Sequence, residues 1–483
     1  MPQTLIPHLR TLPTDTITPV SAFLRLRAHF PGPAYLLENS TPGQRGYSLL
    51  GVEPFATARI QGGVLRWQEG DQEQIIPGEP LTELGRLLQQ YQSNPLPDMP
   101  PFLGGAVGFL GFDCIQYLEP IVLPPGGERD EACLMFFKAG VIFDHARHRL
   151  ILFANVDSAS GLPGEAQAQA TLERLEAALE EPVTTERSSR LPNQSPESPE
   201  LEGLMGEEAY CQAVRKIKAH IRQGDIFQCV LADRFTQPLR TEPFNIYRVL
   251  RSLNPSPYLF YLDTGREILL GASPEMLVQC ENGTISTCPI AGTRPRGQTP
   301  AEDLKMEKQM LSSVKERAEH LMLVDLGRND IGRSARPGTV KVPEFMQVHR
   351  FSHVMHLVSL VQGELAAGKT AWDALLACFP AGTLSGAPKV RALQILSELE
   401  PARRGPYGGA ILYASFSGAL DSCITIRSLH IYDGHIHVQA GAGIVADSRP
   451  AAEYQEVRAK SRAILRAVQL AHLQQEAIHA AAH

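Results

Sequence analysis

Apolar residues recur along this chain with two periods, one near 3.6 and one of 2, and the changes between them outline its elements. EEAYCQAVRKIKAHIRQGD places Tyr210, Val214, Ile217 and Ile221 on one helical face and stops at Gly224, a residue suited to a left-handed C-cap. The strand-like runs IFQCVLADRF, YLFYL, EILLGAS and EMLVQC follow, several joined by short turns with no helix between them. Short turns favour antiparallel pairing over a doubly wound parallel sheet. Helices are expected at Ala301 to Leu326, Ala371 to Cys378 and Pro388 to Glu398, and strands at Ala410 to Ser415, Ser422 to Tyr432 and His435 to Ala440. A long helix from about Ala451 to Gln475 closes the pattern. Nearer the start, GVIFDHARHRLILFANV reads as strands and AQATLERLEAALEE as a helix, so this part is mixed α and β. Between the two halves, VTTERSSRLPNQSPESPELE has almost no apolar content and reads as a linker. The expected division is a first lobe over 1–182, a linker over 183–204 and a second lobe over 205–475, without internal repeats.

Composition narrows the class. A chain of 483 residues, 43% hydrophobic and 20% charged, can bury a large core and fills two or three compact units or one two-lobed unit. Its net charge is -7, with basic residues scattered among acidic ones, so nucleic acid is a poor partner. Eight cysteines without a CxxC pair point to free thiols in a reducing compartment. The start, MPQTLIPHLRTLPTDT, has no unbroken apolar stretch, and no later run approaches a membrane span, so a cytoplasmic location is expected.

Several residues then invite chemistry. Glu453, Glu456 and Lys460 share one face of the closing helix, and the same stripe continues as Ile464 and Val468, which suggests charges turned inward. An exposed Glu–Lys pair four residues apart is the plainer alternative. Glu316 and Glu319 fall nearly opposite the apolar face made by Met310, Val314 and Leu321, as a solvated acidic face would. A glutamate from each of these two helices would nonetheless meet the oxygen preference of Mg²⁺. Glycines crowd FPAGTLSGAPK, PYGGAI and QAGAGI, where backbone N–H groups can approach an anion, with Thr383 and Lys389 as added donors. No GxGxxG, HExxH or GxSxG is present, so dinucleotide, zinc-protease and serine-hydrolase chemistry lack an anchor. His356 fits a core role or a catalytic one.

In order, GDIFQCVLADRF, NPSPYLFYL, GASPEML, PIAGTRPRG, ERAEHLMLVDLGRND, FSHVMHLVS, FPAGTLSGAPK, PYGGAI, CITIRSL, QAGAGIVADS and EYQEVRAK resemble the chorismate-utilising enzymes. That family includes anthranilate, aminodeoxychorismate, isochorismate and salicylate synthases, and the likeness spans about Glu207 to Leu470. It implies an α+β, two-lobed fold of large, mostly antiparallel sheets packed as a sandwich and flanked by helices. By the same resemblance Glu319 and Glu456 match Mg²⁺ ligands, with Glu316 and Glu453 holding metal-bound water. Thr383, Tyr407, Arg427, Lys460 and the backbone from Gly441 through Ala442 to Gly443 match positions that bind the two carboxylates of chorismate. Glu275 matches the acid that protonates the departing C4 hydroxyl, and His356 a residue beside the ring.

Two positions separate family members. Those that add water to chorismate have a lysine base where this chain has Gln228, and a glutamine amide cannot deprotonate water. Aminodeoxychorismate synthases carry a nucleophilic lysine where this chain has Ala291 in PIAGT. The pair resembles the anthranilate synthase branch, which implies direct attack by ammonia and release of pyruvate. The alternatives are an aminodeoxychorismate synthase without that lysine, or a silent tryptophan-sensing subunit. No cysteine sits in a GxCxG turn, so the resemblance implies a separate glutamine amidotransferase subunit as the ammonia source. YLLENSTPGQRGYSLLG resembles the tryptophan-binding LLES element of feedback-inhibited members, with Asn39 in the usual serine position. Glu38, Asn39 and Ser40, together with Pro257, Tyr258 and Leu259, are then expected to form an effector pocket.

Overall fold

The strand runs pair into two large sheets, and each sheet draws on both halves of the chain. A computed structural model describes residues 2–39, 46–182, 201–350 and 354–481, so the linker residues 183–200 lie outside it. Among the described residues each sheet has 12 strands. The first runs from Gly386–Ala387 and Gln228–Pro238 at one end, through His435–Ile444, Ser428–Tyr432, Ile268–Ser273 and Tyr258–Asp263, to Ala34–Asn39 and the strands before residue 160. The second begins with Ile290–Pro295 and Val354–Glu364 and ends at Gln72–Ile76. Pairing is antiparallel throughout except where Gln3–Pro13 meets Tyr91–Gln92.

The sheets pack face to face. Tyr35, Ile142, Phe153 and Phe260 from the first meet Phe109, Met135, Phe137 and Ile411 from the second in one buried cluster. Helices Pro19–His29, Gly161–Glu180, Pro243–Leu253 and Pro450–Ala481 cover the outer face of the first sheet, where Phe23, Leu172, Tyr247 and Ile464 are buried. Helices Pro80–Gln89 and Ala371–Cys378 cover that of the second. With both faces covered, a strand such as Gly105–Leu110 is buried at every position and shows no alternation in sequence. The α+β sandwich is therefore the architecture. The boundary at 183–204 divides the sequence but not the core, because Ala34–Asn39 pairs with Tyr258–Asp263 and Gly105–Leu110 with Ala410–Ser415.

Most helices lie where the apolar spacing placed them. Gly206–Gln223 ends on Gly224 at φ 82°, the left-handed cap. Two expectations need correction. The helix over Ala301 to Leu326 is two, Pro300–Ser312 and Val314–Gly332; Ser313 leaves the helical region and its hydroxyl accepts the Glu316 N–H at 3.4 Å, capping the second. The strand over Ser422 to Tyr432 is also two, Leu420–Ile424 in the second sheet and Ser428–Tyr432 in the first. The chain changes sheets between them. No described helix is long and apolar enough to cross a membrane.

Candidate active site

Two crossings between the sheets carry the charged centre of the site. One is Pro274–Glu275, between Ile268–Ser273 in the first sheet and Met276–Glu281 in the second. The other is Thr425 to Arg427. Backbone hydrogen bonds tie them together, from Ile424 N–H to Glu275 O at 3.0 Å and from Ala272 N–H to Arg427 O at 3.1 Å. Arg427 has φ 49°, a conformation that costs a non-glycine residue about 1–2 kcal/mol and clusters at functional sites.

Glu275 is half-buried, and Thr383 Oγ1 donates to its Oε1 at 3.0 Å from the 3₁₀ turn Gly382–Leu384. Burial pushes its pKa up to about 7, against the pull of the Thr383 hydrogen bond and the Arg427 charge. Both protonation states are thus populated near neutrality, which suits a general acid. His356 is held below its ordinary pKa, chiefly by burial and also by Arg427, while a bond to the Gly292 carbonyl at 2.9 Å opposes this. A carbonyl only accepts, so Nδ1 carries the proton and Nε2 of the neutral ring is an acceptor.

The floor comes from strand His435–Ile444. Gly441 and Gly443 face the site, whereas the buried Ala442 packs with Leu231 and Tyr210 on the other side, so only its backbone belongs here. A side chain at either glycine would crowd its neighbours. A Cβ on Gly441 would come within 3.2 Å of the Tyr407 hydroxyl and 3.1 Å of Leu231 O, and one on Gly443 within 3.0 Å of Gln228 Nε2. Tyr407 and Gln228, both buried, therefore close over this strand.

On the open side, helices Val314–Gly332 and Pro450–Ala481 present their carboxylates. Glu319 is pushed above its ordinary pKa by burial first, with Glu316 and Glu456 raising it and Lys315 and Lys460 opposing. Glutamates from the two helices thus act on one another. Glu316 pairs with Arg294 through Oε1, and its buried Oε2 has no hydrogen-bond partner. Lys460 Nζ reaches both Glu456 Oε1, at 2.8 Å, and the Gly441 carbonyl, at 2.9 Å. The inward stripe expected for the closing helix is corrected: Ile464 and Val468 are buried, but Glu456 and Lys460 are about half exposed at the cleft rim. Glu453, one turn earlier, is half-buried, and its charge adds to the raising of the Tyr210 pKa, which burial dominates. No three His, Cys, Asp or Glu side chains among the described residues are grouped to hold a metal. A Mg²⁺ site needs fewer, because water and substrate oxygens complete its octahedron. The unpartnered Glu316 oxygen and the mutual repulsion of Glu319 and Glu456 fit such an ion.

Lys389 is a further correction. Its ammonium pairs with Asp330 at 3.1 Å in the interior, so it is not offered to an anion. Glu400 and Arg404, a buried ion pair just beyond helix Lys389–Leu399, carry no signal in sequence, where they read as ordinary surface charges.

A cavity of about 410 Å³ lies between the sheets where the two halves of the chain meet. Asn39 and Tyr258 are cross-strand partners, and both bond Asp421, from Asn39 Nδ2 at 3.1 Å and from the Tyr258 hydroxyl at 3.2 Å. Burial pushes Asp421 up to about 6. Glu38 and Leu259 border the cavity, but their side chains belong to the opposite sheet face, where the Glu38 carboxylate accepts from Tyr247 and Arg251 at 2.6 Å each. Pro257 precedes the strand and does not line the cavity, and Ser40 lies outside the described residues.

Known proteins share this sequence and fold. The chain is 42% identical to anthranilate synthase component 1 of Acetivibrio thermocellus, over 96% of this chain and 95% of that one. It is 43% identical to the protein of the same name from Thermus thermophilus, over 96% and 98%. The crystal structure of anthranilate synthase component I from Streptococcus pneumoniae superposes with TM-score 0.78 at 36% identity, covering 88% of this chain and 93% of that one. A menaquinone-specific isochorismate synthase from Escherichia coli has the same fold, with TM-score 0.70 at 19% identity over 97% and 96%. The sequence profile of chorismate binding enzymes matches residues 32–466, a span that holds both sheet crossings, the glycine strand and the carboxylates of both acidic helices, and the chain belongs to that family.

Proposed function

We propose that this chain is the synthase component of an anthranilate synthase, converting chorismate and ammonia to anthranilate, pyruvate and water. The observation that carries this reading is Glu275, a carboxyl held near neutrality beside Arg427 and Thr383 at the junction of the two sheets. Arg427, Tyr407, Thr383, Lys460 and the amides around Gly441 and Gly443 bind and orient the substrate's two carboxylates. Ammonia attacks C2 as Glu275 gives its proton to the C4 hydroxyl, which leaves as water. Loss of the C2 proton and of the enolpyruvyl group as pyruvate then leaves an aromatic ring. Gln228 and Ala291 support ammonia as the nucleophile, since neither can deprotonate water or bond covalently to the ring. His356, neutral and anchored on Gly292, packs beside the ring.

Glu319 and Glu456 would hold Mg²⁺, with Glu316 and Glu453 toward its waters. When bound, the ion supplies positive charge to the ring carboxylate of the substrate. Lys460 adds its own charge there while fixing the Gly441 carbonyl.

The chain works with a glutamine amidotransferase subunit that releases ammonia. Relatives carrying the name component 1 support such a pairing. Tryptophan is proposed as a feedback effector in the inter-sheet cavity, where Asp421 offers a carboxylate to an ammonium group among Leu37, Phe260 and Tyr413. Eight free thiols, seven of them buried, suit a cytoplasmic enzyme.

Purified chain incubated with chorismate, ammonium at elevated pH and Mg²⁺ is expected to release fluorescent anthranilate and pyruvate in equal amounts. An amino product that retains its enolpyruvyl group, with no pyruvate, would overturn the assignment.

A further inference from the structure

Arg404 lies at the centre of a buried network that the chemistry above does not use. It is 2% exposed, and its fork meets four acceptors: Glu400 Oε2 at 2.8 Å, Glu400 Oε1 at 2.6 Å, Leu384 O at 2.7 Å and Val230 O at 2.6 Å. Phe112 stacks on the guanidinium, 4.4 Å from its ring centroid. Each acceptor belongs to an element of the site. Leu384 closes the turn that carries Thr383, and Val230 follows Gln228 by two residues and pairs with Gly443. Glu400 Oε1 also accepts from Ala232, the partner of Gly441. The Arg404 carbonyl in turn accepts from Gln439 at 2.7 Å, and Tyr407 follows three residues later.

We infer that Arg404 is a positioning residue for the reaction: its guanidinium locks the Thr383 turn to the Gln228 strand, so that the Thr383 hydroxyl meets Glu275. The inference rests on Glu275 being the acid. Arginine is required because a planar fork can serve two carbonyls and a carboxylate at once, whereas a lysine ammonium keeps the charge on Glu400 and cannot span both Leu384 O and Val230 O. A core ion pair without this role would affect melting but not the chemistry of Glu275. The groups facing Glu275 are Thr383, Arg427 and, more weakly coupled, Cys288.

The test compares Arg404→Lys, Thr383→Val and the double variant by kcat and kcat/KM for chorismate against pH, with rates expressed per free NH₃. The Thr383 bond pulls the Glu275 pKa down, so Thr383→Val is expected to move the basic limb upward by roughly half a unit. Arg404→Lys is expected to move it the same way and to lower kcat about tenfold to a hundredfold, more than it raises KM. The double variant should show no further shift. Should Arg404→Lys not fold, Glu400→Gln takes its place, with a smaller shift in the same direction. A basic limb unmoved by Arg404→Lys or Glu400→Gln, while Thr383→Val moves it, would overturn the positioning role alone. A limb unmoved by Thr383→Val would overturn the role of Glu275, and the inference with it.

Discussion

At the scale of single residues, Glu275 sets a conflict between stability and chemistry. Burial raises its folded-state pKa from 4.5 to about 7, so the folded protein binds the proton more tightly than the unfolded chain does. The burial is without penalty below pH 4.5 and increasingly destabilising as pH rises toward 7, by about 3 kcal/mol above that. Glu275→Gln is therefore expected to melt at a higher temperature than the parent at pH 8 and nearly with it at pH 4.5, in paired melting curves. The same variant should lose roughly a hundredfold or more in kcat, and with it the basic limb of the pH profile. Arg427 gives a second residue-scale prediction. On the proposed role of Arg427 in binding a substrate carboxylate, which calls on its planar guanidinium, Arg427→Lys should raise the KM for chorismate about tenfold to a hundredfold in steady-state assays, with a smaller change in kcat. The resemblance singled out both residues in GASPEML and CITIRSL, but the burial that holds Glu275 near neutrality and the positive φ of Arg427 come only with the fold.

At the scale of elements, the acidic helices illustrate how a spacing rule can be right in geometry and wrong in direction. Glu456 and Lys460 do share a helical face and do pair, as any such residues four apart would. What distinguishes them is the neighbouring helix Val314–Gly332, which brings Glu319 within electrostatic reach, and the Gly441 carbonyl, which takes Lys460. With no metal present, Glu456→Gln is expected to lower the pKa of Glu319, because one raising charge is gone; carboxyl titration by NMR reads this directly. In the assay the same variant should need at least roughly tenfold more Mg²⁺ for half-maximal turnover. A Glu319 pKa that does not move would separate the two helices and remove the proposed metal site. The break at Ser313 belongs to this scale too. Helical periodicity runs through it, and the cap on Glu316 becomes evident only in the fold, where Pro300–Ser312 and Val314–Gly332 are separate helices that both pack on Ile290–Pro295.

At the scale of the whole molecule, the two sheets share strands from both halves of the chain, and the cavity with Asp421 lies on that seam. A ligand there touches both sheets, and Leu420–Ile424 leads from Asp421 to the amide that bonds Glu275. Tryptophan at a hundred times its Kd is expected to stabilise the fold by about 2.7 kcal/mol and to inhibit turnover. Asp421→Asn removes the counter-charge for the ammonium group, so both effects should vanish together in thermal shift and rate measurements. Inhibition that persists in Asp421→Asn without a thermal shift would place the effector elsewhere.

Residue order alone carries the periodicities, hence most helices and strands, the antiparallel pairing, and the order of motifs that marks a chorismate binding enzyme. These are local properties, carried by side-chain spacing and by residue types within a few positions of one another. It takes the folded chain to show that the strand expected from Ser422 to Tyr432 changes sheets before Ser428, that Lys389 turns to Asp330, and that Arg404 joins four acceptors. Those outcomes depend on contacts between segments tens to hundreds of residues apart, where burial and the pairing of charges, rather than local pattern, set the energy of each side chain.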